Sequence, residues 1–427
     1  MTDCDVIVVG AGISGLSAAK IFKDYEINVL VLEARDRVGG RTLTKRSPDV
    51  NYVDIGGAYI GPTQNNILRM AEELGVDYYK IKEDADLLLY RNIPNDTPWK
   101  APKADLWDTT TFDSFLKKHC WTREGYEYFK YFANVNTACE PYECSLLSML
   151  WYVKQCGGVR SIDSTKNGAQ AKYVILACPP IIQMKIHFTP SLPPLRNQMM
   201  QRLPMGTVMK VILYYKTAFW RKKGLCGSIY IEGGDEHPVY AIMDDTKPDG
   251  SYPALIGFIS ADKARRLVHL SPNERRDMYA QSLAEATDCP EAKEPIHYEE
   301  KNWMEEEYSG GCYTAVYGPG FFTRYGKVLR DPVDRLYFAG TETAVRWSGY
   351  MDGAVEAGER AAREVLHKMD KISQDKIWDV VDELHEKPSG GKHSSSVSKI
   401  LKIMTLSTFV GVASLVFMQN KIFTIDF

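Results

Sequence analysis

The first forty residues alternate between apolar runs and a glycine-rich turn. Val6–Val9 is a run of four apolar residues that ends at Gly10, which is typical of a buried parallel strand. Ser14–Phe22 has the residue spacing of a helix, and the apolar run Asn28–Leu32 indicates the next strand. Together these segments predict a compact βαβ unit at the start of the chain.

Similar patterns recur along the rest of the chain. They predict strands at Tyr173–Ala177, Lys210–Tyr215 and Leu336–Ala339, and a long helix at Asp352–His367. Residues from about 80 to 170 mix helical patterns with aromatics and polar breaks, which favours an inserted domain. We therefore expect an α/β fold in which a Rossmann-like domain carries an inserted α+β domain.

The C-terminal stretch Ile403–Asn420 has no charged residue over 18 positions and lies between Lys402 and Lys421. A helix of that length, at about 1.5 Å of rise per residue, comes close to the thickness of a bilayer's hydrocarbon core. Threonines and serines dilute its hydrophobicity, so an amphipathic or buried helix is the alternative. Because a Ser/Gly/Lys-rich linker, Pro388–Lys399, precedes the stretch, we favour a single C-terminal membrane anchor.

Composition excludes several classes of protein. A net charge of −3 gives no reason to expect nucleic acid as a partner. The nine cysteines are scattered without the spacing of zinc ligands, which favours reduced thiols in a cytosol-facing protein and no metal site. The N-terminus has no basic region before its first apolar run, so no secretory signal is predicted.

The glycine turn has the spacing of a dinucleotide site. Gly10, Gly12 and Gly15 follow a strand and open a helix, where backbone N–H groups and the helix dipole can approach a pyrophosphate. Glu33 ends the second strand, where a carboxylate accepts hydrogen bonds from ribose hydroxyls. This acid would repel a 2′-phosphate, which disfavours NADP and leaves NAD and FAD.

Two arginines lie just beyond this acid. Arg35 and Arg41 fall within Glu-Ala-Arg-Asp-Arg-Val-Gly-Gly-Arg-Thr, and they could neutralise a diphosphate. The alternative is that they are solvated surface residues. Farther along the chain, Gly56, Gly57 and Gly61 indicate a second tight turn near the same site.

These motifs belong to a wider likeness: the chain resembles the flavin monoamine oxidases over nearly its whole length. The segments that carry the resemblance are DVIVVGAGISGLSAAK, VLEARDRVGGRT, VDIGGAYIGPTQN, LWYVKQCGG, PIHYEEKNW, EEYSGGCYT and YFAGTETAVRWSGYMDGAVEAGERAAREVL. The resemblance implies FAD as cofactor and oxidative deamination of amines, with dioxygen reduced to hydrogen peroxide. It also implies a location on the cytosolic face of the mitochondrial outer membrane. The same resemblance suggests a homodimer.

The resemblance assigns roles to individual residues. Cys312 matches the cysteine that forms a thioether to the 8α-methyl group of the flavin. Tyr313 and Tyr350 match two tyrosines that stand as parallel walls before the flavin, where they would exclude water and favour the uncharged amine. Lys210 matches a lysine that holds a water near flavin N5, and Trp303 matches a tryptophan packed beside the flavin.

Two further residues, Cys120 and His297, match family positions to which we assign structural support for activity. The cofactor-binding set implied by the motif and the resemblance comprises Gly10, Gly12, Ser14, Gly15, Glu33, Arg35, Arg41, Gly56, Gly57, Tyr59, Trp303, Cys312, Gly340, Thr341, Tyr350 and Met351. The expected division of the chain is a discontinuous FAD domain at 1–80, 171–200 and 300–370, a substrate domain at 81–170 and 201–299, a linker at 371–399 and an anchor at 400–427.

The chain also departs from the family pattern. A stretch that the family carries between the counterparts of Gln170 and Ala171 is missing, and only Arg91–Thr97 spans another shortened region. Asp163 lies where the family usually has an apolar or aromatic cavity residue. The alternatives are therefore a catalytically impaired isoform, or a non-covalent flavin oxidase of polyamines or amino acids.

Overall fold

The computed structural model describes residues 2–79, 97–101, 103–120, 123–155, 169–231 and 236–378. Eleven strands are found in these residues: β1 Thr2–Val9, β2 Val29–Leu32, β3 Thr44–Ser47, β4 Asn51–Asp54, β5 Ala169–Leu176, β6 Val208–Tyr214, β7 Ile229–Tyr230, β8 Ala241–Asp244, β9 Ala254–Ser260, β10 His297–Asn302 and β11 Leu336–Phe338. The predicted strands and helix are confirmed, with ends displaced by up to four residues.

Thirteen α-helices are found in the same residues. They are α1 Ile13–Asp24, α2 Asn65–Glu73, α3 Ala104–Thr109, α4 Phe112–His119, α5 Arg123–Thr137, α6 Leu146–Gln155, α7 Pro180–Gln183, α8 Pro194–Met200, α9 Phe219–Lys222, α10 Ala261–Leu267, α11 Pro272–Thr287, α12 Phe321–Tyr325 and α13 Met351–Lys368. None of the helices in the described residues is long and apolar enough to span a membrane. The proposed anchor at 400–427 lies outside the described residues.

The nucleotide-type domain is a parallel sheet in the order β11-β5-β1-β2. Its apolar strands pack against α1 and α13, and Val6, Val8, Ala361 and Val365 are fully buried between these layers. The two helices approach closely because a Cβ on Gly358 would lie 2.0 Å from the carbonyl oxygen of Ser14. The last long helix is thereby fixed against the first, and segments more than 300 residues apart contribute to one domain.

The junction at which a family segment is missing lies inside a strand. Gln170 and Ala171 are part of β5, where they pair in parallel with Asp3 and Cys4 of β1. The strand runs four residues farther toward the N-terminus than the apolar pattern predicts. Strand β11 pairs only with Val174–Leu176 of β5, so among the described residues the junction has a strand partner on the β1 side alone.

The second sheet is antiparallel and has the order β10-β6-β9-β8-β7. Strand β6 is buried at every position because both of its faces are covered. Met209, Val211 and Leu213 pack in the apolar cluster that contains α11, while Ile212 and Tyr214 pack in the cluster that contains the β3–β4 hairpin. A third apolar cluster is formed chiefly by the helices from α3 to α6, with α8 and α12.

Candidate active site

A cavity of about 200 Å³ lies where the glycine turn after β4, the second sheet and the segment around Cys312 meet. Its lining includes twelve residues that are glycine, aromatic or functional: Gly56, Gly57, Tyr59, Tyr152, Lys210, Phe258, Trp303, Cys312, Tyr313, Thr314, Tyr350 and Met351. Nine of these twelve positions come from chain segments beyond residue 150. The fold therefore gathers into one cavity residues that are far apart in the sequence.

Cys312 reaches the cavity because the backbone at and just before it packs closely against the backbone of Gly206. Gly311 has φ 138°, and a Cβ there would lie 2.4 Å from the carbonyl oxygen of Gly206. The Cys312 N–H donates to that same oxygen at 2.9 Å. The Cys312 side chain is buried and lines the cavity, and among the described lining residues it carries the only thiol.

Three tyrosines of the cavity lining form what we call the tyrosine wall: Tyr313, Tyr350 and Tyr152. Two of them, Tyr313 and Tyr350, are predicted from the resemblance, and burial raises the pKa of the Tyr313 hydroxyl, which keeps it neutral. The third is Tyr152, whose ring lies 6.4 Å from that of Tyr350 at an interplanar angle of 27°. Tyr152 donates its hydroxyl proton to the carbonyl of Asn136 at 2.8 Å, so the 3.1 Å contact between the two hydroxyls has Tyr350 as donor.

Sequence reasoning did not single out Tyr152 as a site residue. It lies on α6 within Leu-Trp-Tyr-Val, where its spacing is that of an ordinary core aromatic. Phe258 was missed for the same reason, and its ring contacts that of Tyr313 edge-on at 6.1 Å. The only sequence signal for Tyr152 is its position in one of the segments that carry the resemblance.

Lys210 is the cationic group of the cavity wall. It is 4% exposed, and its ammonium donates to the carbonyl of Asp54 and, at 3.0 Å, to that of Gly56. The rings of Tyr59 and Phe258 lie 5.6 Å and 5.9 Å from Nζ, close enough for cation–π attraction. These partners account for a lysine in an otherwise apolar strand, since a buried charge requires compensation.

The nucleotide turn is built as its spacing predicts. A Cβ on Gly15 would lie 1.8 Å from the carbonyl oxygen of Gly10, so only glycine allows this contact between helix and turn. The Glu33 carboxylate accepts from the N–H of Ala11 at 2.8 Å and from that of Arg35 at 3.2 Å. The acid thus lies at the turn, beside the start of α1.

The arginines of this region are not solvated surface residues. Arg41 is fully buried, and its guanidinium donates to the carbonyl of Tyr313 at 2.7 Å and to the Glu342 carboxylate at 3.1 Å. Arg35 donates to Glu306 at 3.0 Å and to Ser309 at 3.1 Å. Among the described residues, Nε of Arg41 and Nη1 of Arg35 are buried without a hydrogen-bond acceptor.

These orphaned donors and the glycine cradle fit an anionic dinucleotide. A diphosphate supplies the acceptors that buried guanidinium N–H groups need, and a helix N-terminus adds favourable dipole. Glu342 is a further residue that sequence reasoning missed, because its role depends on a contact 301 positions away in the sequence. It fixes Arg41, and Arg41 in turn holds the backbone of Tyr313.

The C-terminal segment completes the wall. The N–H of Gly340 donates to Ser14 Oγ at 3.0 Å, and the Thr341 hydroxyl donates to the carbonyl of Tyr350 at 3.1 Å. Met351, the first residue of α13, lies beside Gly57 in the cavity lining, where its sulfur would be 3.8 Å from a Cβ on that glycine. These contacts join the segment at 340–351 to the glycine turn and to the cavity. The predicted cofactor-binding positions that line the cavity itself are Gly56, Gly57, Tyr59, Trp303, Cys312, Tyr350 and Met351.

Trp303 and two other predicted residues have different surroundings. Trp303 lines the cavity, and its indole N–H donates to the carbonyl of Ile55 at 3.0 Å. Cys120 follows α4 and packs against the helical cluster, and His297 begins β10, where Nε2 lies 2.7 Å from Glu299. Neither Cys120 nor His297 lines the cavity, so their contacts fit support of the fold better than direct catalysis.

Comparisons with known proteins agree with this geometry. The model of the family described as "Flavin containing amine oxidoreductase" matches residues 13–136 and 142–366. Amine oxidase [flavin-containing] B of Homo sapiens is 45% identical over 510 aligned residues, which cover 98% of each chain. Amine oxidase [flavin-containing] A of Equus caballus is 43% identical over 512 residues, which cover 98% of this chain and 97% of that protein.

Solved structures show the same similarity at lower identity. Cyclohexylamine oxidase from Brevibacterium oxydans superposes with a TM-score of 0.79 at 27% identity, over 86% of this chain and all of that one. Putrescine oxidase bound to putrescine gives a TM-score of 0.77 at 27% identity, over 86% of this chain and 99% of that one. The alignments to the relatives are longer than the 427 residues of this chain, so the relatives carry internal residues that it lacks.

With a family model that matches most of the chain, relatives of high identity along its length, and a glycine turn with buried arginines that fits an anionic dinucleotide, the chain belongs to the flavin-containing amine oxidases, which use FAD for the oxidative deamination of amines.

Proposed function

We propose that this protein oxidises small amines in the cavity described above, with Tyr313 and Tyr350 as the walls that hold the amine. The single observation that carries this assignment is the convergence of a buried thiol, a buried ammonium and a tyrosine wall on one cavity. The products are an imine, which water hydrolyses to an aldehyde, and hydrogen peroxide from dioxygen. When bound, FAD supplies the acceptor for the two electrons.

The cavity favours the reactive form of the amine. An alkylammonium loses more hydration energy on entering an apolar space than a neutral amine does, so the tyrosine wall shifts the equilibrium toward the uncharged form. Tyr313 carries no charge of its own that could retain the ammonium, because burial raises its pKa. The nitrogen lone pair is then available to form the C=N bond of the imine as the adjacent α-carbon loses its hydrogen.

Two residues would hold and tune the cofactor. Cys312 lies on the cavity wall, where its sulfur would bond to the flavin methyl group and fix the ring without a need for tight non-covalent binding. Lys210 would place positive charge near the ring edge, where negative charge develops on reduction, and the resemblance implies that it holds a water there.

The direct test is anaerobic mixing of the purified protein with benzylamine and, separately, with putrescine. Bleaching of the yellow flavin absorbance by an amine, followed by peroxide release on admission of air, is expected. Bleaching without any amine, or no bleaching with any amine tested, contradicts the proposal. The second outcome corresponds to the impaired isoform, for which the missing internal residues provide the reason.

Acid precipitation of the same protein decides how the cofactor is attached. Flavin colour that stays with the pellet supports the Cys312 bond, whereas colour only in the supernatant supports the alternative of a non-covalent oxidase that acts on polyamines or amino acids.

We propose further that residues 400–427 anchor the protein to the outer mitochondrial membrane with its bulk in the cytosol, and that it forms a homodimer. Support for the anchor is the uncharged stretch Ile403–Asn420.

A further inference from the structure

A second, smaller cavity lies directly behind the tyrosine wall. It has a volume of about 30 Å³, and Tyr152 and Thr314 line both it and the larger cavity. Ten of its twelve lining residues are buried, and the remaining two, Tyr152 and Thr137, are half-buried. The space is therefore internal, large enough for one molecule of the size of water and separated from the reaction cavity by two side chains.

The hydroxyl groups around this small cavity are already committed to the protein. Each donates its proton to a protein acceptor: Tyr152 to Asn136 O at 2.8 Å, Ser148 to Ser145 O at 2.8 Å, Thr137 to Ala133 O at 2.7 Å, Ser348 to Thr341 O at 3.1 Å, Tyr317 to Glu342 O at 3.2 Å and Thr314 to the Glu342 carboxylate at 3.2 Å. A buried water typically makes about three hydrogen bonds, and this lining has no hydroxyl donor left to offer it.

The rest of the lining is apolar or neutral. Met149, Ala315 and Val316 contribute hydrocarbon and a thioether, and Cys139 and Cys144 contribute thiols. The neighbouring Cys139 and burial raise the pKa of Cys144, so that thiol does not introduce a charge. An uncharged lining with committed donors favours a small apolar occupant over water.

We propose that this cavity holds dioxygen beside the flavin site. The inference rests on the proposed oxidase function, which consumes one dioxygen for each amine oxidised. Dioxygen is therefore the small apolar molecule that must reach the flavin site. Storage behind Tyr152 and Thr314 lets dioxygen be present while the amine occupies the larger cavity. The two reactants would then not compete for the same space.

Xenon, which enters apolar cavities of this kind, is the probe. Xenon-pressurised crystals of the wild-type protein are expected to show a xenon atom between Ala315 and Cys139.

The variant Ala315→Val, which fills the space with two methyl groups, should abolish xenon binding and lower the second-order rate constant for reoxidation by dioxygen several-fold. Anaerobic reduction by amine should keep its wild-type rate. Ala104→Val adds the same volume to the same apolar cluster away from this cavity and should change neither quantity.

The outcomes are distinguishable. Absence of xenon from the wild-type cavity overturns the proposal, and so does a xenon-binding cavity whose filling leaves reoxidation unchanged. If Ala315→Val fails to fold, Cys139→Val fills the space from the opposite wall and gives the same readouts. Failure of the wild-type protein to be reduced by any amine refutes the oxidase function instead, and it does so before dioxygen enters the experiment.

Discussion

Cys312 illustrates how a single residue is placed by its neighbours. Gly311 before it leaves no room for a side chain against Gly206, and Arg41 holds the carbonyl of Tyr313 after it. The side chain between them has one direction left, into the cavity. Residues on either side thus fix the position that the proposed covalent bond requires.

Cys312→Ala should abolish covalent attachment of the flavin, because no other described residue of the cavity lining carries a thiol. Flavin absorbance in the acid-precipitated pellet is the measurement, and complete loss is expected. Cys4→Ala, at a buried cysteine of β1 far from the cavity lining, is the matched control and should keep the colour in the pellet. Retention of colour by the Cys312 variant would assign the attachment to another residue.

Lys210→Met should slow reoxidation by dioxygen by about 100-fold, the usual order of effect when a preorganised electrostatic group is lost. Reduction of the flavin by amine should change much less, since the ammonium takes no part in proton removal from the substrate. Stopped-flow measurement of the two half-reactions separates these effects. Equal slowing of both would contradict the role, as would loss of bound FAD.

At the scale of elements, the side chains of β6 point alternately to its two faces, and each face packs into a different apolar cluster. Met209, Val211 and Leu213 face α11, while Lys210 and Ile212 face the hairpin side of the sheet and the cavity. The lysine can lie in an apolar strand because hairpin and turn carbonyls meet its ammonium. A one-residue shift of register would reverse the two faces and remove the cation from the site.

The ion pairs of Glu306 connect two elements that flank the cofactor region. Its carboxylate contacts Lys301 of β10 and lies 3.0 Å from Arg35 beyond β2. Burial acts to raise the pKa of this carboxyl, but the bonds from Lys301 and Arg35 outweigh it and the pKa is lowered. The resulting stabilisation is present above the pKa of the unfolded chain and is lost as pH falls through the lower, folded value.

Glu306→Gln should therefore lower the free energy of unfolding by about 1–3 kcal/mol at neutral pH, the range for hydrogen bonds to charged groups. The difference from wild type should shrink in acid, where the wild-type carboxyl is protonated as well. Thermal unfolding at a series of pH values tests this expectation. Glu307→Gln, at the exposed neighbouring position, should have little effect at any pH, and a pH-independent loss in the Glu306 variant would contradict the ionic origin.

At the scale of the whole molecule, the site depends on segments that are far apart in the described part of the chain. The glycine turn at residues 10–15, the lysine of β6 and the segments around Cys312 and Tyr350 surround adjoining spaces. Because helices α1 and α13 are locked together, loss of either would open the nucleotide turn as well as the cavity wall.

Deletion of residues 400–427 should release the protein from membranes, since the uncharged stretch Ile403–Asn420 would be removed with it. Fractionation of cells that express the full-length and shortened chains, with the protein followed by immunoblot, is the measurement. Deletion of the linker Pro388–Lys399 is the control and should leave the protein in the membrane fraction. Persistence of the shortened chain in that fraction would indicate a second membrane contact.

The sequence by itself determined the elements and chemistry that depend on local order. Spacing of Gly10, Gly12 and Gly15 before an apolar helix specifies a dinucleotide turn, and the small residues before Cys312 specify close backbone contact, because both follow from the size of a few adjacent side chains. The family resemblance supplied the roles of Lys210, Tyr313 and Tyr350, which spacing alone would leave as core residues.

Only the tertiary structure decided which distant residues share a space. Tyr152 joins the aromatic wall and Glu342 pairs with Arg41 through contacts across 198 and 301 positions, whereas Cys120 and His297 fall outside the cavity lining. No local pattern encodes such pairings, since they arise from how two sheets and a helical cluster pack. The small cavity behind Tyr152 is of the same kind, because an internal space exists only where packed elements leave a gap.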